Sequence, residues 1–211
     1  MKKLVVMVLN IVSVGFCAQP VLTLTGPNGN VKAGSTVQLS VSVSGTTGFN
    51  VAAIQGSIIL PGTFVSCAVG GASTAAGKSV DCGVSGGGSN LIFIASGINT
   101  NVYADGVVAL VTVNIPVGAA GGATTVGLSN TLSASLTGDG VVTTPGVNFS
   151  LGITSQCDID SSGTTDSTDV GLVKAAMLSG SNSIDLNKDG KTDVIDLQRV
   201  INAIGGTCKV N

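Results

Sequence analysis

Two acidic segments near the C-terminal end of the chain repeat each other at an offset of 27 residues. They span residues 158–169 and 185–196 and contain eight of the eleven carboxylates of the chain, all of which are aspartates. Carboxylates packed this densely repel one another unless a cation lies between them. This constrains the chain more than any other feature, because it predicts two folded loops that hold positive ions.

The spacing of the acidic residues fits a twelve-residue calcium loop. Such a loop has oxygen ligands at positions 1, 3, 5, 9 and 12, a backbone carbonyl at position 7 and glycine at position 6. The candidate ligands are Asp158, Asp160, Ser162, the Thr164 carbonyl, Asp166 and Asp169 in the first loop, and Asp185, Asn187, Asp189, the Lys191 carbonyl, Asp193 and Asp196 in the second. We therefore predict two Ca²⁺ ions. The first ion should bind more weakly, because Ser162 replaces the usual acid at position 5.

Both loops end in aspartate, where a common EF-hand has glutamate, and a single helix follows each loop. In these features the segment from about 156 to 208 resembles the type I dockerin module, which binds cohesin modules in cellulosome-like assemblies. The resemblance implies that loop positions 10 and 11, here Ser167 and Thr168, contact a partner, and Lys174 matches a further contact position. The alternative for Ser167 and Thr168 is a local role as a helix cap.

Apolar residues after each loop follow a helical period. We expect one face of each helix to form the core of the module; these faces carry Val170, Val173, Ala176 and Met177 in the first helix and Leu197, Val200, Ile201 and Ile204 in the second.

Short segments of alternating polarity, separated by glycine-rich turns, occupy the chain from Val21 to about Leu151. The predicted strands are 36–43, 51–60, 91–95 and 106–115, with weaker candidates at 124–129, 132–136 and 147–151. Seven to nine strands at this spacing predict a mainly β fold, a jelly-roll β-sandwich, followed by the small α-helical module. No helix is predicted within the sandwich.

Three stretches of this region, 31–41, 51–58 and 105–115, resemble the "AG-x-x-V", "VAA-hydrophobic-Q" and "DG-x-h-A" strands of a cohesin domain. Cohesins are nine-stranded jelly-rolls related to carbohydrate-binding modules. Leu60-Pro61-Gly62 departs from the family pattern, and another adhesin-like sandwich stays an alternative. The predicted organisation is a signal peptide at 1–18, a cohesin-like domain at 20–151, a linker at 152–156 and a dockerin-like domain with two EF-hand calcium loops at 157–208.

The N-terminus and the cysteines indicate export. Lys2 and Lys3 precede an apolar stretch at 4–16 that is too short for a membrane span, which predicts a signal peptide and a secreted or cell-surface protein. Cleavage after Cys17 or Ala18 is possible, and lipidation of Cys17 is disfavoured by the large Phe16. The four remaining cysteines permit three pairings. We favour Cys67 with Cys82, because they lie close in sequence, and Cys157 with Cys208, because they bracket the C-terminal module.

These features favour a non-catalytic assembly protein whose partners carry cohesin or dockerin modules and include copies of this chain. The family context implies polysaccharide degradation or cell-surface display. A carbohydrate-binding sandwich is the alternative, although the chain has one tyrosine, Tyr103, and no tryptophan. An enzyme is disfavoured, because histidine and glutamate are absent and only Asp81, Asp105 and Asp139 lie outside the loops. Nucleic-acid binding is disfavoured by the lack of a basic patch.

Overall fold

A computed structural model describes residues 19–209 of the chain; the predicted signal peptide and Cys17 lie outside this range. The strands are β1 (Val21–Thr25), β2 (Val31–Lys32), β3 (Thr36–Ser44), β4 (Val51–Ile59), β5 (Thr63–Val69), β6 (Ser79–Ser85), β7 (Asn90–Ser96), β8 (Gly106–Asn114), β9 (Gly122–Ser135), β10 (Gly140–Val141), β11 (Thr144–Pro145) and β12 (Phe149–Thr154). The helices are α1 (Gly71–Ala75), α2 (Ser167–Ser179) and α3 (Val194–Ala203).

The strands form two sheets, which confirms the predicted β-sandwich. One sheet has the order β11-β1-β3-β8-β5, and the other has the order β2-β12-β9-β4-β7-β6, with β10 paired to β9. Most neighbours are antiparallel, whereas β1 with β11 and β12 with β2 are parallel.

The core lies between the two sheets and is built from alternating residues of each strand. Val37, Leu39, Val41 and Val43 of β3 are buried, as the alternation of that segment predicts. Phe93 of β7 is fully buried, and a methyl group at Gly56 of β4 would lie 2.8 Å from its ring. Burial of each such large side chain stabilises the fold by roughly 1.5–3 kcal/mol.

Several elements of the sandwich differ from the prediction. β1, β5, β6 and the two-residue strands β2, β10 and β11 were not predicted, and the two weak candidates at 124–129 and 132–136 form the single strand β9. Irregular pairing between β4 and β9, with Asn130 at φ 50°, interrupts the alternation and makes one strand look like two. The expectation that the sandwich contains no helix was wrong, because α1 lies within it and contacts β8.

Cys67 and Cys82 form a disulfide, as do Cys157 and Cys208, and this is the pairing favoured from the sequence. Cys67 lies on β5 and Cys82 on β6, which are edge strands of different sheets. The first bridge therefore joins the two sheets at one edge of the sandwich rather than closing a surface loop.

The C-terminal module has its own small core around the second disulfide. Cys157, Val173, Leu186, Val200 and Cys208 are buried in it, together with Ala203. The expectation that Ile201 and Ile204 are core residues was wrong, since both are exposed. The buried stripe of α3 contains Asp196, Val200 and Ala203, and Ile201 lies about 100° around the helix from Val200.

The junction between sandwich and module is structured. Of the predicted linker 152–156, residues 152–154 belong to β12, and Thr154 and Ser155 are buried. A cut between residues 151 and 152 would therefore divide β12. Between residues 19 and 209, no helix is both long and apolar enough to cross a membrane.

Candidate metal centre

Each acidic loop is folded around the carboxylate at its first position. Asp158 accepts hydrogen bonds from the backbone N–H groups of Ser162 (3.0 Å) and Gly163 (2.8 Å). The equivalent residue of the second loop, Asp185, accepts them from Asp189 (3.2 Å) and Gly190 (2.8 Å). Both glycines have positive φ, 102° and 91°, so glycine at position 6 permits the turn.

The carboxylate at position 12 ties each loop to the start of its helix. Asp169 Oδ1 accepts from the N–H of Ile159 at 2.6 Å, and Oδ2 accepts from that of Asp166 at 2.8 Å. In the second loop, Asp196 makes the same bonds with Leu186 (2.8 Å) and Asp193 (2.9 Å). Position 9 is the N-cap of each helix, and positions 9 and 12 form a capping box in both.

The first loop brings three carboxylates together. One oxygen from each of Asp158, Asp160 and Asp169 lies within 4.8 Å of the others, and Asp158 and Asp169 are completely buried. Burial raises the pKa of Asp158, which the N–H of Gly163 opposes, whereas the N–H of Ser162 lowers the pKa of Asp160. Buried hard oxygens that face one another fit a calcium ion, since they need a positive charge that backbone N–H groups supply only in part.

The two loops have equal numbers of aspartates, which the prediction of a weaker first ion did not take into account. Ser162 at position 5 of the first loop is offset by Asn187 at position 3 of the second, so each loop has four aspartates. The Ser162 hydroxyl donates to the Thr164 carbonyl (3.1 Å), and the Asn187 amide donates to Asp189 (2.7 Å). The proposed ligands of the two loops therefore differ in type rather than in the number of carboxylates, and only the second loop contains basic residues, Lys188 and Lys191.

Comparison with known proteins agrees with these observations. Residues 156–205 match the family model described as the dockerin type I domain. No curated protein matches the chain. The C-terminal module is dockerin-like.

Solved structures resemble the sandwich. A non-cellulosomal cohesin from Archaeoglobus fulgidus is 17% identical with a TM-score of 0.51, and the alignment covers 66% of this chain and 94% of that one. A type II cohesin from Bacteroides cellulosolvens is 14% identical with a TM-score of 0.53, covering 63% and 99%. A type I cohesin–dockerin complex from Clostridium thermocellum is 12% identical with a TM-score of 0.53, covering 64% and 99%. The sandwich has the cohesin fold.

The residues predicted to contact a partner lie on the surface of the dockerin-like module. Ser167, Thr168 and Lys174 are all exposed on α2. The capping alternative for Ser167 and Thr168 is wrong, because the N-cap of α2 is Asp166, which accepts from the N–H of Thr168 at 2.7 Å. Their side chains are therefore not needed as the cap.

Two exposed apolar surfaces were missed from the sequence. One lies on α3 and includes Val194 and Ile195, at loop positions 10 and 11, together with Ile201. The other lies on the outer face of the cohesin-like sheet and includes Ile92 and Ile94. The sequence contained a signal for the second surface, because β7 has apolar residues at every position from 91 to 95 and only alternate ones can face the core.

Proposed function

We propose that this protein is a secreted, non-catalytic binding protein that acts through calcium-dependent interactions of the cohesin–dockerin type. The observation that carries the proposal is the repeated loop architecture. In both loops, the carboxylate at position 1 accepts a hydrogen bond from the N–H of the glycine at position 6, and the carboxylate at position 12 accepts one from the N–H of the helix N-cap at position 9. A module of this kind presents its two helices correctly only when the loops are folded.

The proposed calcium ligands are the twelve residues predicted from the spacing, six in each loop, and the proposed stoichiometry is two ions. Bound calcium would offset the electrostatic repulsion between the aspartate carboxylates of each loop. Ten residues separate position 1 from position 12 of each loop. When both residues bind the same ion, the two ends of the loop are held together. Ion binding and folding of α2 and α3 are then coupled.

The proposed partners are proteins with cohesin or dockerin modules. Support comes from the fold of the sandwich, the match of the C-terminal module and a similar structure described as a cohesin–dockerin complex. Two disulfides favour an oxidising, extracellular or cell-surface location. A link to polysaccharide catabolism or surface display follows from the family context. Ser167, Thr168 and Lys174 remain proposed contact residues.

Carbohydrate binding is less favoured by the surface of the sandwich. Sugar-binding faces rely on exposed aromatic rings, and Tyr103 is only 2% exposed. The exposed large apolar side chains between residues 19 and 209 are all aliphatic.

A glycosidase is disfavoured by the surroundings of its candidate carboxylates. Asp105 accepts hydrogen bonds from Gly45 (3.0 Å) and Thr46 (2.9 Å), and Asp139 accepts one from Thr137 (2.5 Å). These contacts give both aspartates a structural role in turns.

Calorimetric titration of calcium into the chain from residue 19 tests the proposal, with helix content followed by circular dichroism. We expect two ions to bind and the helical signal to rise with occupancy. The matched control, Asp158→Ala combined with Asp185→Ala, should bind neither ion. Absence of calcium binding by the wild type would refute the proposed function, and retention on insoluble polysaccharide would favour the carbohydrate-binding alternative.

A further inference from the structure

The segment that connects the sandwich to the dockerin-like module is short and is hydrogen-bonded to the sandwich. The Thr154 carbonyl at the end of β12 accepts a hydrogen bond from the N–H of Ala33 at 2.8 Å. The side chain of Gln156 donates to the Ala33 carbonyl, also at 2.8 Å, and the N–H of Asp158 donates to the Ser155 carbonyl at 3.2 Å. The first calcium loop therefore begins while the chain is still bonded to the sandwich.

The loop between β8 and β9 forms a second contact with the module. A methyl group at Gly121 would lie 3.6 Å from the carbonyl oxygen of Gly163, and one at Gly118 would lie 3.7 Å from that of Cys208. A shallow cleft of about 290 Å³ separates this loop from the end of α3. The module is thus held against one end of the sandwich by its beginning, its first loop and its C-terminal cysteine.

The outer face of the larger sheet has an exposed apolar surface, which we call the sheet strip. It consists of Ile92 and Ile94 on β7 and Leu132 on β9. Ile94 and Leu132 both pair with Gln55 of β4, so they lie in one row across the sheet, and they are 43% and 59% exposed. Asp81 of β6 pairs with Ile94 and places a negative charge at the end of this row.

The dockerin-like module has an exposed apolar surface on α3, which we call the helix strip. It consists of Val194, Ile195 and Ile201; Val194 is 64% exposed and Ile201 is 41% exposed. The 27-residue offset aligns these residues with Ser167, Thr168 and Lys174 of α2. The two helices therefore present surfaces of opposite character, and only the surface of α3 matches an apolar sheet.

The sheet strip and the helix strip do not meet within one chain. Leu132 lies ten residues along β9 from Gly122, which pairs with Ile153 beside the connecting segment, a separation of about 33 Å. The three Cα–Cα steps from Thr154 to Cys157 span at most about 11 Å. Both strips are exposed in the complete chain, and hydrogen bonds from Thr154 and Gln156 to Ala33 hold the start of the module beside β2.

We propose that the helix strip of one copy docks on the sheet strip of a second copy, so that the chains assemble head to tail. This inference rests on the proposed cohesin–dockerin-type function and names this chain itself as a partner bound through α3, so that Ser167, Thr168 and Lys174 of α2 stay proposed contacts for other partners. The contact joins different surfaces of the two copies, so it leaves one strip free at each end and permits further addition. Burial of six aliphatic side chains at the contact supplies the main attraction.

Charge complements this arrangement. Residues 157–209 include five basic side chains and eight aspartates, so two calcium ions would change the net charge of the module from −3 to +1. Residues 19–156 include two lysines and three aspartates and have a net charge of −1. Lys191, exposed three residues before Val194, provides an opposite charge for Asp81 at the end of the sheet strip.

Sedimentation velocity of the chain from residue 19 tests the proposal. With calcium, we expect oligomers that grow with protein concentration; with chelator, we expect monomers. Leu132→Asp should weaken association by about 30-fold or more, because it places a charge in the apolar contact. The double variant Val194→Ser with Ile201→Lys gives α3 the residues that α2 already has, and it should have the same effect.

Mixing the two variants provides the decisive measurement. Each variant retains one intact strip, so the mixture should form dimers of one copy of each and no larger species. Leu136→Asp and Leu178→Lys alter exposed leucines outside both strips and should assemble like the wild type.

Three results would overturn the proposal: a wild type that binds two calcium ions but stays monomeric, a mixture of the two variants that does not pair, or loss of assembly through Ser167→Ala with Lys174→Ala while the α3 variant assembles normally. The first would leave the proposed function intact with a different partner. Absence of calcium binding would instead contradict the proposed function itself.

Discussion

The backbone N–H of Leu186 donates a hydrogen bond of 2.8 Å to the carboxylate of Asp196, ten residues later in the chain. This bond brings the second residue of the second loop against the start of α3. Asp196 is fully buried, and it also accepts from the N–H groups of Asn187 and Asp193. One carboxylate thus orients the loop, caps the helix and is a proposed calcium ligand.

Asp196→Ala should abolish calcium binding at the second loop and destabilise α3. The variant loses the charge at position 12, and loss of the capping interaction costs about 1 kcal/mol in addition. Calorimetry should give one bound ion instead of two. Asp139→Ala, which alters an exposed aspartate outside the loops, should retain both ions, and two ions in Asp196→Ala would contradict the proposed ligand set.

Ser162→Asp should strengthen calcium binding at the first loop by about tenfold, because an additional carboxylate faces the ion. Asn187→Asp is the matched change in the second loop and should strengthen that site instead. A two-step calorimetric titration would separate the sites, and in the wild type it would show which of the two loops binds calcium more weakly. Stronger binding in Ser162→Ala would show that the hydroxyl is not a ligand.

Asp105→Asn should reduce stability at neutral pH but not at strongly acidic pH. Hydrogen bonds from the N–H and hydroxyl of Thr46 and from the N–H of Gly45 lower the pKa of Asp105 below its value in the unfolded chain. The carboxylate therefore stabilises the fold above the unfolded pKa of about 3.9, and this contribution is lost as the pH falls through the lower folded value.

The expected effect is small, because Asp105 is exposed and solvent weakens its bonds. Loss of the charged acceptor should cost on the order of 1 kcal/mol, or about 2–4 °C in Tm at pH 7. Thermal unfolding of both proteins from pH 7 to pH 2 would measure it. A difference in Tm that stays constant over that range would exclude the carboxylate charge as its cause.

Replacement of Cys157 and Cys208 by serine should raise the calcium concentration at which α2 and α3 fold. The bridge joins residues 51 apart and, on the chain-entropy model, stabilises the module by about 4 kcal/mol. Circular dichroism during a calcium titration would detect the shift. The control, Cys67→Ser with Cys82→Ser, removes a bridge within the sandwich and should leave this titration unchanged.

The sequence alone predicted the features that depend on local spacing. The candidate ligands follow a twelve-residue pattern, and the helical period of the apolar residues after each loop predicts α2 and α3. The alternation of Val37, Leu39, Val41 and Val43 predicted a buried strand face, because side chains of a strand point to opposite sides in turn. Such patterns are short, and each can be formed by neighbouring residues.

Only the tertiary structure decided how distant segments meet. It placed Cys67 and Cys82 on different sheets, brought Gln156 to Ala33 across 123 residues and left Ile201 outside the core. Apolar residues occur both in a core and on an exposed apolar surface. The periodicity of the sequence therefore could not distinguish the exposed Ile94 and Ile201 from their buried neighbours. Their exposure depends on which elements pack against them, and that is a property of the complete fold rather than of any one segment.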